Sequence, residues 1–145
     1  MITEDSPSED SASGAHDRRA FRLAVERKDV EAMIAVFRED AVLNSPVSFE
    51  PFRGRPAIGM LLRILMEVFE DFRYTDELRG EDGTLALVFE ASVAGRELQG
   101  LDLIRFDDLG RLRELTVMVR PRSGLEALMS VVGPRLAALS GSNDH

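Results

Sequence analysis

Apolar residues recur at helical spacing in three stretches of the chain. In the first stretch, a run of apolar positions predicts helices over about residues 17–27 and 30–38: Phe21, Leu23, Ala24, Val30, Met33, Ile34 and Phe37. Asp29 is positioned to cap the second of these helices. The second stretch predicts a buried helix that opens at Pro56 and continues through AIGMLLRILMEVFEDF. The third stretch, SGLEALMSVVGPRLAAL, predicts a final helix interrupted at Gly133 and Pro134.

Between the last two helices the apolar pattern changes to the period of two that is typical of β-strands. Four segments show this period, and the short turns between them imply antiparallel neighbours: FRYTDELRGEDG, TLALVFEASVAG, RELQGLDLIRFDDLG and RLRELTVMVRP. One side of these strands is apolar and the other side is mixed. A further short strand is predicted from Ala41 to Leu43. Helices, a short strand, a helix and a meander of strands predict an α+β layer fold.

Length and charge narrow the class of protein. With 145 residues, of which 44% are hydrophobic, the chain fits one domain, which we place at residues 16–140. Residues 1–17 carry five acidic side chains and no base, and Asp144 lies in the tail, so six of the eight net negative charges lie near the ends of the chain. Residues 1–15, which are rich in Ser, Glu and Asp, and the tail 141–145 are predicted to be disordered. The remainder is nearly neutral, which argues against nucleic-acid binding. No run of membrane-spanning length and no signal-peptide pattern occurs, so we expect a cytoplasmic protein without a membrane partner.

The composition gives little support to metal or covalent chemistry. The chain has no cysteine, and both histidines, His16 and His145, lie at or near the segments predicted to be disordered. We therefore expect no metal site and no cofactor. The basic residues are 17 arginines and a single lysine, Lys28, a bias that indicates a GC-rich, bacterial genome.

One acidic residue stands out in the predicted strand GLDLIRFDDLGRL. Asp102 lies between Leu101 and Leu103, so its carboxylate faces either solvent on the far side of the sheet or apolar surroundings. In apolar surroundings its pKa would rise, and the neutral carboxyl group could donate a hydrogen bond to a ligand carbonyl. The other interpretation is a structural carboxylate that is paired with an arginine or hydrated. The flanking leucines do not decide between the two.

Three segments of the chain resemble, in their order and spacing, the nuclear transport factor 2-like superfamily: KDVEAMIAVFREDAVLNSP, FRGRPAI and LDLIRFDDLGRL. The resemblance spans about residues 17–121. It implies a cone-shaped α+β fold in which N-terminal helices wrap a curved antiparallel sheet and leave an apolar pocket, here with a helical C-terminal extension. Within the superfamily the pattern is most similar to that of the ketosteroid isomerases, with the SnoaL-like polyketide cyclases as relatives.

The resemblance also implies roles for single residues. Asp102 matches the acid of the isomerase oxyanion hole, which makes it the candidate catalytic residue. The isomerase base, however, matches Ser45, the oxyanion-hole tyrosine matches Phe21, and a supporting tyrosine matches Phe37. A serine hydroxyl does not remove a carbon-bound proton unaided, and phenylalanine donates no hydrogen bond. We therefore do not expect ketosteroid isomerisation by the mechanism of these enzymes.

By the same resemblance, a set of residues would line a ligand pocket, although residues at these spacings are also ordinary core: Phe21, Phe37, Ser45, Leu61, Leu62, Leu87, Phe89, Leu115 and Val119. The leading hypothesis is a protein that binds a small apolar molecule with a carbonyl or hydroxyl group near Asp102 and acts on it as an isomerase, cyclase or dehydratase. The alternatives are a SnoaL-like polyketide cyclase and a non-catalytic interaction domain. The mixed outer face of the sheet favours a homodimer.

Overall fold

A computed structural model describes residues 17–143, which form helices and strands in the order that the periodicity predicts. The helices are α1 (Ala20–Glu26), α2 (Val30–Ala35), α3 (Gly54–Val68) and α4 (Arg122–Asn143). The strands are β1 (Phe37–Asn44), β2 (Phe52–Arg53), β3 (Glu70–Arg79), β4 (Leu85–Val93), β5 (Arg96–Phe106) and β6 (Leu112–Arg120).

The six strands form one sheet in the order β2-β1-β6-β5-β4-β3. Strands β3 to β6 pair antiparallel with one another in chain order, as the short turns predict. Strand β1, in contrast, pairs parallel with β6. The register shifts twice between β3 and β4 and once between β5 and β6. Such bulges bend a strand and increase its twist, so they curve the sheet without closing it. The predicted cone-shaped α+β fold is confirmed.

The concave face of the sheet carries the apolar core. One cross-strand row on this face runs from Leu85 through Ile104 to Leu115, and the next runs from Leu87 through Asp102 to Val117. Directly opposed residues of antiparallel strands share a face, so Asp102 lies on the concave side with these apolar neighbours. The helices cover this side, with the fully buried Met33 of α2 and Ile58 of α3 among the core residues.

The position predicted for the end of the second helix, residue 38, is wrong. Helix α2 stops at Ala35, and Phe37 begins β1, which is longer than the strand predicted from Ala41 to Leu43. The carbonyl of Val36 accepts a hydrogen bond of 3.0 Å from the Leu112 amide, which joins the chain to the sheet at this point. The buried Phe37 fits a helical pattern as well as a strand pattern, so the periodicity placed it in the helix. The N-cap prediction is confirmed, because the Asp29 side chain accepts a hydrogen bond of 3.1 Å from the Ala32 amide.

The third helix differs from its prediction at both ends. It begins at Gly54, before Pro56, and ends at Val68, so residues 69–72 belong to a short connection and to β3. The segment before it contains the two-residue strand β2. The Arg55 side chain donates a hydrogen bond of 2.8 Å to the Phe37 carbonyl, which holds the start of α3 against β1.

The predicted interruption of the last helix is also wrong, because α4 runs continuously with Pro134 inside it. A proline in a helix removes one backbone donor, here the partner of the Ser130 carbonyl. Ser130 is exposed, so water can satisfy that carbonyl. At its other end α4 lies close to β5, since a Cβ added at Gly124 would be 2.7 Å from the Cβ of Leu98.

The predicted leader, residues 1–15, lies outside the described residues, as do residues 144–145 of the predicted tail. Helix α4 continues to Asn143, beyond the predicted domain end at residue 140. Among the described residues, the helices are all too short or too polar to cross a bilayer.

Candidate functional site

A cavity of about 180 Å³ lies between the concave face of the sheet and the helices. Its lining comes from all four helices, from strands β1, β3, β4, β5 and β6, and from the loop after β1. The lining is almost entirely aliphatic and aromatic, and its polar side chains are Ser45, Tyr74 and Asp102. Val47 and Met129 line the cavity and remain 39% and 44% exposed, so the cavity reaches the surface between the loop after β1 and helix α4.

Asp102 lies in the middle of β5 and contributes a carboxyl group to this apolar lining. Only 7% of the residue is exposed. Among the described residues, Asp102 is the single acidic or basic residue that is buried. Its cross-strand neighbours are Leu87 on one side and Val117 on the other. Within residues 17–143 no arginine or lysine forms an ion pair with Asp102. Among the described residues, Asp102 is therefore neither paired with an arginine nor directed to solvent on the far side of the sheet.

The polar partner of Asp102 is Tyr74, which reaches the cavity from β3. The Tyr74 hydroxyl donates a hydrogen bond to Asp102 Oδ2 over 3.4 Å, longer than the ~2.7–2.8 Å of a strong bond between oxygen atoms. On its other side, the Tyr74 ring lies 5.2 Å from the Arg22 guanidinium. Arg22 is in turn paired with Glu77 at 2.8 Å and with Glu26 at 3.1 Å. The tyrosine ring is thus supported from α1 while its hydroxyl group faces the carboxyl group.

A bulge in β3 places Glu77 on the same face of the sheet as Tyr74. Tyr74 is paired with Phe89, whereas Glu77, three residues later, is paired with Leu87, only two residues earlier along β4. The extra residue reverses the alternation that follows, so Glu77 shares the inner face and reaches Arg22. Leu78 is left on the outer face, where it is 57% exposed.

Burial sets the ionisation of this pair. Desolvation raises the pKa of Asp102 to about 7, and the hydrogen bond from Tyr74 opposes that rise. Desolvation also raises the pKa of Tyr74 well above its usual range, and the nearby Asp102 charge adds to this effect. Near neutral pH the tyrosine therefore remains a donor, while Asp102 exists in both the neutral and the ionised form.

An aromatic cluster closes one side of the cavity. The ring of Phe72 stacks on Phe89 with 4.8 Å between centroids, and Phe69 contacts both rings at 5.5 and 5.8 Å. The position opposite Phe89 on β5 is Gly100, where an added Cβ would be 2.0 Å from the Phe89 ring. The missing side chain at Gly100 is what gives the Phe89 ring its place on the concave face.

The structure brings together most of the residues that the sequence selected. Seven of them line the cavity: Phe21, Ser45, Leu61, Leu62, Phe89, Asp102 and Leu115. Three do not. Phe37 is buried behind Phe21, edge-on at 5.6 Å between centroids. Leu87 is fully buried next to Asp102 in the sheet, and Val119 lines separate surface grooves. A ligand contact for any of these residues remains a prediction.

Two contributions to the site were missed from the sequence. The first is Tyr74, the single tyrosine of the chain, whose alternation with Phe72 is a signal in the sequence that both face the core. Helix α4 also lines the cavity, and its contribution lies outside the segment that carries the family resemblance: Leu128, Met129, Val132, Gly133 and Leu136. Asn44, the neighbour of Ser45, does not line the cavity; its side chain donates to Glu114 and Thr116.

Metal binding has no support in the described part of the chain. No three His, Cys, Asp or Glu side chains of residues 17–143 come together in a way that could hold a metal ion.

The comparisons with known proteins support the family and the fold. A family model described as a SnoaL-like domain matches residues 18–115. The chain is similar to a steroid delta-isomerase from Pseudomonas aeruginosa, with 39% identity over 88% of this chain and 97% of that one, and a TM-score of 0.79. A Silicibacter pomeroyi protein with a cystatin-like fold is 27% identical over 84% of this chain and 86% of its own, with a TM-score of 0.77.

A more distant similarity shows the fold alone. The epoxide hydrolase/cyclase-like enzyme SalBIII has a role in pyran ring formation in the polyether salinomycin. It is 20% identical over 86% of this chain and 97% of its own, with a TM-score of 0.60. No curated protein sequence matches the chain.

The raised pKa of Asp102 predicts a specific pH dependence of stability. An unfolded aspartate has a pKa of ~3.9, so only well below about pH 4 are both states neutral, and there Asp102 carries no penalty. As the pH rises to about 7, the unfolded state ionises first, and the folded state loses stability relative to it. Relative to an Asp102→Asn variant, the wild type should lose up to about 4 kcal/mol across this window.

Urea unfolding of both proteins between about pH 4 and pH 8 measures this difference directly. Asparagine is neutral and similar in shape to aspartate. In the difference between the unfolding free energies of the two proteins, the contributions of all other titrating groups therefore cancel. A difference that stays constant over this range, or that grows in favour of the wild type as the pH rises, would contradict a raised pKa.

Proposed function

The chain belongs to the SnoaL-like domain family, and we propose that it binds a compact apolar molecule through a carbonyl or hydroxyl oxygen that contacts Asp102. The observation that carries this proposal is a buried carboxyl group that, within residues 17–143, has no cationic partner and faces an apolar cavity beside the Tyr74 hydroxyl. Desolvated polar groups that converge in an apolar pocket are typical of ligand sites.

Asp102 and Tyr74 together suit a carbonyl oxygen. A neutral Asp102 and the Tyr74 hydroxyl can each donate one hydrogen bond. Their mutual bond of 3.4 Å is long, so little is lost when a ligand oxygen replaces it. Two donors in surroundings with little water stabilise negative charge on that oxygen more strongly than water does.

The size of the cavity limits the ligand. Its volume of about 180 Å³ lies below the roughly 300–1,000 Å³ of most small-molecule sites. An apolar cavity of ~150 Å³ holds one benzene ring, so a four-ring steroid would not fit without a rearrangement of the lining. We therefore propose a ligand whose part beside Asp102 has one ring or two small ones.

The reaction that fits this site best is an isomerisation. When Asp102 is ionised, the Tyr74 hydroxyl would donate to the ligand carbonyl. The carboxylate would then take a proton from a carbon next to that carbonyl and return it to another carbon, so no co-reactant is required. A pKa of about 7 suits a group that both accepts and returns a proton near neutral pH. The similarity to a steroid delta-isomerase supports this class of reaction. Ser45 and Phe21, at the positions of the isomerase base and tyrosine, leave both functions to Asp102 and Tyr74.

A polyketide cyclase is the second candidate. The resemblance to the SnoaL-like polyketide cyclases, in line with the SnoaL-like family match, and a carboxylate that can remove an acidic proton support it. The two candidates share Asp102 as the proton acceptor and differ in the substrate, which would need space to close a ring. The cavity volume therefore favours the isomerase. A non-catalytic interaction domain is the weakest candidate, because it does not account for an unpaired carboxyl group facing a cavity.

Binding of 1-tetralone, a two-ring aromatic ketone, tests the role of Asp102. The wild type should bind it most tightly below about pH 7, because the ionised carboxylate cannot donate a hydrogen bond to the ketone. Asp102→Leu, which lacks a donor, should bind at least about fivefold more weakly, as expected for a lost hydrogen bond of ~1 kcal/mol. Asp102→Asn keeps a donor and should bind without this pH dependence.

Isothermal titration calorimetry with the three proteins gives the affinities. Tyr74→Phe serves as a further variant and should weaken binding while the pH dependence remains. Equal affinity of the wild type and Asp102→Leu would remove Asp102 from the site.

We also propose that the protein is a homodimer through the convex outer face of the sheet. Val88, Leu101 and Met118 form one cross-strand row on this face, and Ala86, Leu103 and Thr116 form the next. Met118 is 48% exposed, and an apolar surface of this kind on a sheet is commonly covered by a partner. A second copy provides the same surface and therefore a self-complementary contact.

A charge placed in the centre of this face should separate the two copies. Met118→Arg is expected to convert the dimer to a monomer, because it would bury an unpaired guanidinium in the interface. Leu109→Arg is the matched control, since Leu109 is 46% exposed in the turn between β5 and β6 and lies off this face. Sedimentation equilibrium measures both, and a wild type that is monomeric at the concentrations of the assay would refute the dimer.

A further inference from the structure

A second concavity adjoins the cavity on the side of the aromatic cluster. This groove has a volume of about 290 Å³ and is bounded by α1, the turn after α1, the end of α3 and the start of β3. Five residues line both the groove and the cavity: Val25, Met66, Phe69, Phe72 and Tyr74. A single layer of side chains therefore separates the two spaces.

This dividing layer is built from side chains that can move. Met66, Phe69 and Phe72 are only partly buried, and the unbranched methionine adapts its shape readily. Phe69 lies in the connection between α3 and β3, and Phe72 lies in a part of β3 where the register shifts. Asp71 between them adopts the left-handed backbone conformation, with φ of 55°. The layer thus rests on an irregular segment rather than on a regular ladder. Joined, the groove and the cavity would lie within the roughly 300–1,000 Å³ of common ligand sites.

The charged side chains around the groove differ in whether they have an ion-pair partner. Glu26 is paired with Arg22 at 3.1 Å. Arg73 is paired with Glu90 at 2.6 Å and also donates to the Asp71 carbonyl. Lys28 is exposed, and within residues 17–143 its ammonium group has neither an ion pair nor a side-chain hydrogen bond. The charge that the groove leaves for a ligand is therefore positive.

We propose that the ligand extends from Asp102 through the dividing layer into the groove and ends there in a carboxylate bound by Lys28. This inference rests on the proposed function and specifies its substrate class: an elongated apolar carboxylic acid with a carbonyl or hydroxyl group in its distal, ring-bearing part. The ring occupies the cavity, the apolar chain passes Met66 and Phe72, and the carboxylate stays at the solvent-exposed rim. Such a ligand keeps its charged group hydrated and away from Asp102, which would repel it when ionised.

A pair of probes that differ only in charge tests this inference. 4-Benzoylbutyrate has an aromatic ketone at one end and a carboxylate at the other, and its methyl ester has the same shape without the charge. Near about pH 6 the probe carboxylate is ionised and Asp102 is mostly neutral. The wild type should bind the acid about two- to fivefold more tightly than the ester, as expected for a solvent-exposed ion pair. This preference should decrease as salt is added.

Substitutions at Lys28 should change the preference without changing the ester affinity. Lys28→Met should bind acid and ester equally, whereas Lys28→Arg should retain the preference. Arg96→Met is the matched control, because Arg96 is an exposed cation at the turn between β4 and β5 and lines neither space. It should leave the preference as in the wild type.

The outcomes distinguish this inference from the proposed function. Equal binding of acid and ester by the wild type, or a preference that survives in Lys28→Met, would overturn the role of Lys28 while leaving 1-tetralone binding intact. Binding of 1-tetralone without binding of either longer probe would overturn the extension into the groove. If all three compounds fail to bind, the proposed function fails together with the inference.

Discussion

The free-energy cost of keeping a carboxylate away from water is the constraint on which the site depends. Asp102 is almost fully buried, and among the described residues its polar partner is one neutral hydroxyl group at 3.4 Å. Buried charges in folded proteins are usually paired with an opposite charge, and removing that pairing strongly disfavours the ionised form. The pKa of Asp102 consequently rises to about 7, where a small change in its surroundings decides whether it donates or accepts a proton. A carboxyl group held in this way weakens the folded state at neutral pH, which suggests that it is retained for binding or chemistry rather than for stability.

The backbone creates this environment through irregularities in an otherwise regular sheet. The bulge after Tyr74 brings Glu77 to Arg22, which supports the Tyr74 ring while its hydroxyl group donates to Asp102. Gly100 leaves the space in which the Phe89 ring lies, next to the aromatic cluster that closes one side of the cavity. Helix α4, which is continuous, covers the other side of the cavity apart from the opening beside the loop after β1. The cavity is therefore a consequence of where side chains are missing or redirected as much as of which residues are apolar.

The fold class could be predicted from the sequence because the periodicities of helices and strands are distinct over long segments, and the family resemblance added the cone shape. The boundaries were less predictable. Phe37 fits the helical pattern of α2, yet the hydrogen bond between Val36 and Leu112 joins this segment to a sheet strand more than 70 residues away in sequence. The side of the sheet that Asp102 faces could not be predicted either, since Leu101 and Leu103 on the convex face are as apolar as the concave neighbours. Tyr74 was missed because its contact with Asp102 depends on a pairing of β3 with β4 and of β4 with β5.

The most direct measurement of the central claim is a carbon-13 NMR titration of the Asp102 side-chain carboxyl carbon, assigned by its absence from the Asp102→Asn spectrum. Removal of the Tyr74 hydroxyl in Tyr74→Phe provides an internal check, because that hydrogen bond lowers the pKa of Asp102. A midpoint near 7 in the wild type, and a higher one in Tyr74→Phe, is the result expected for a carboxyl group desolvated in an apolar cavity. A midpoint near the ~3.9 of a hydrated aspartate would show that water reaches the group freely, and the proposed site would then be wrong.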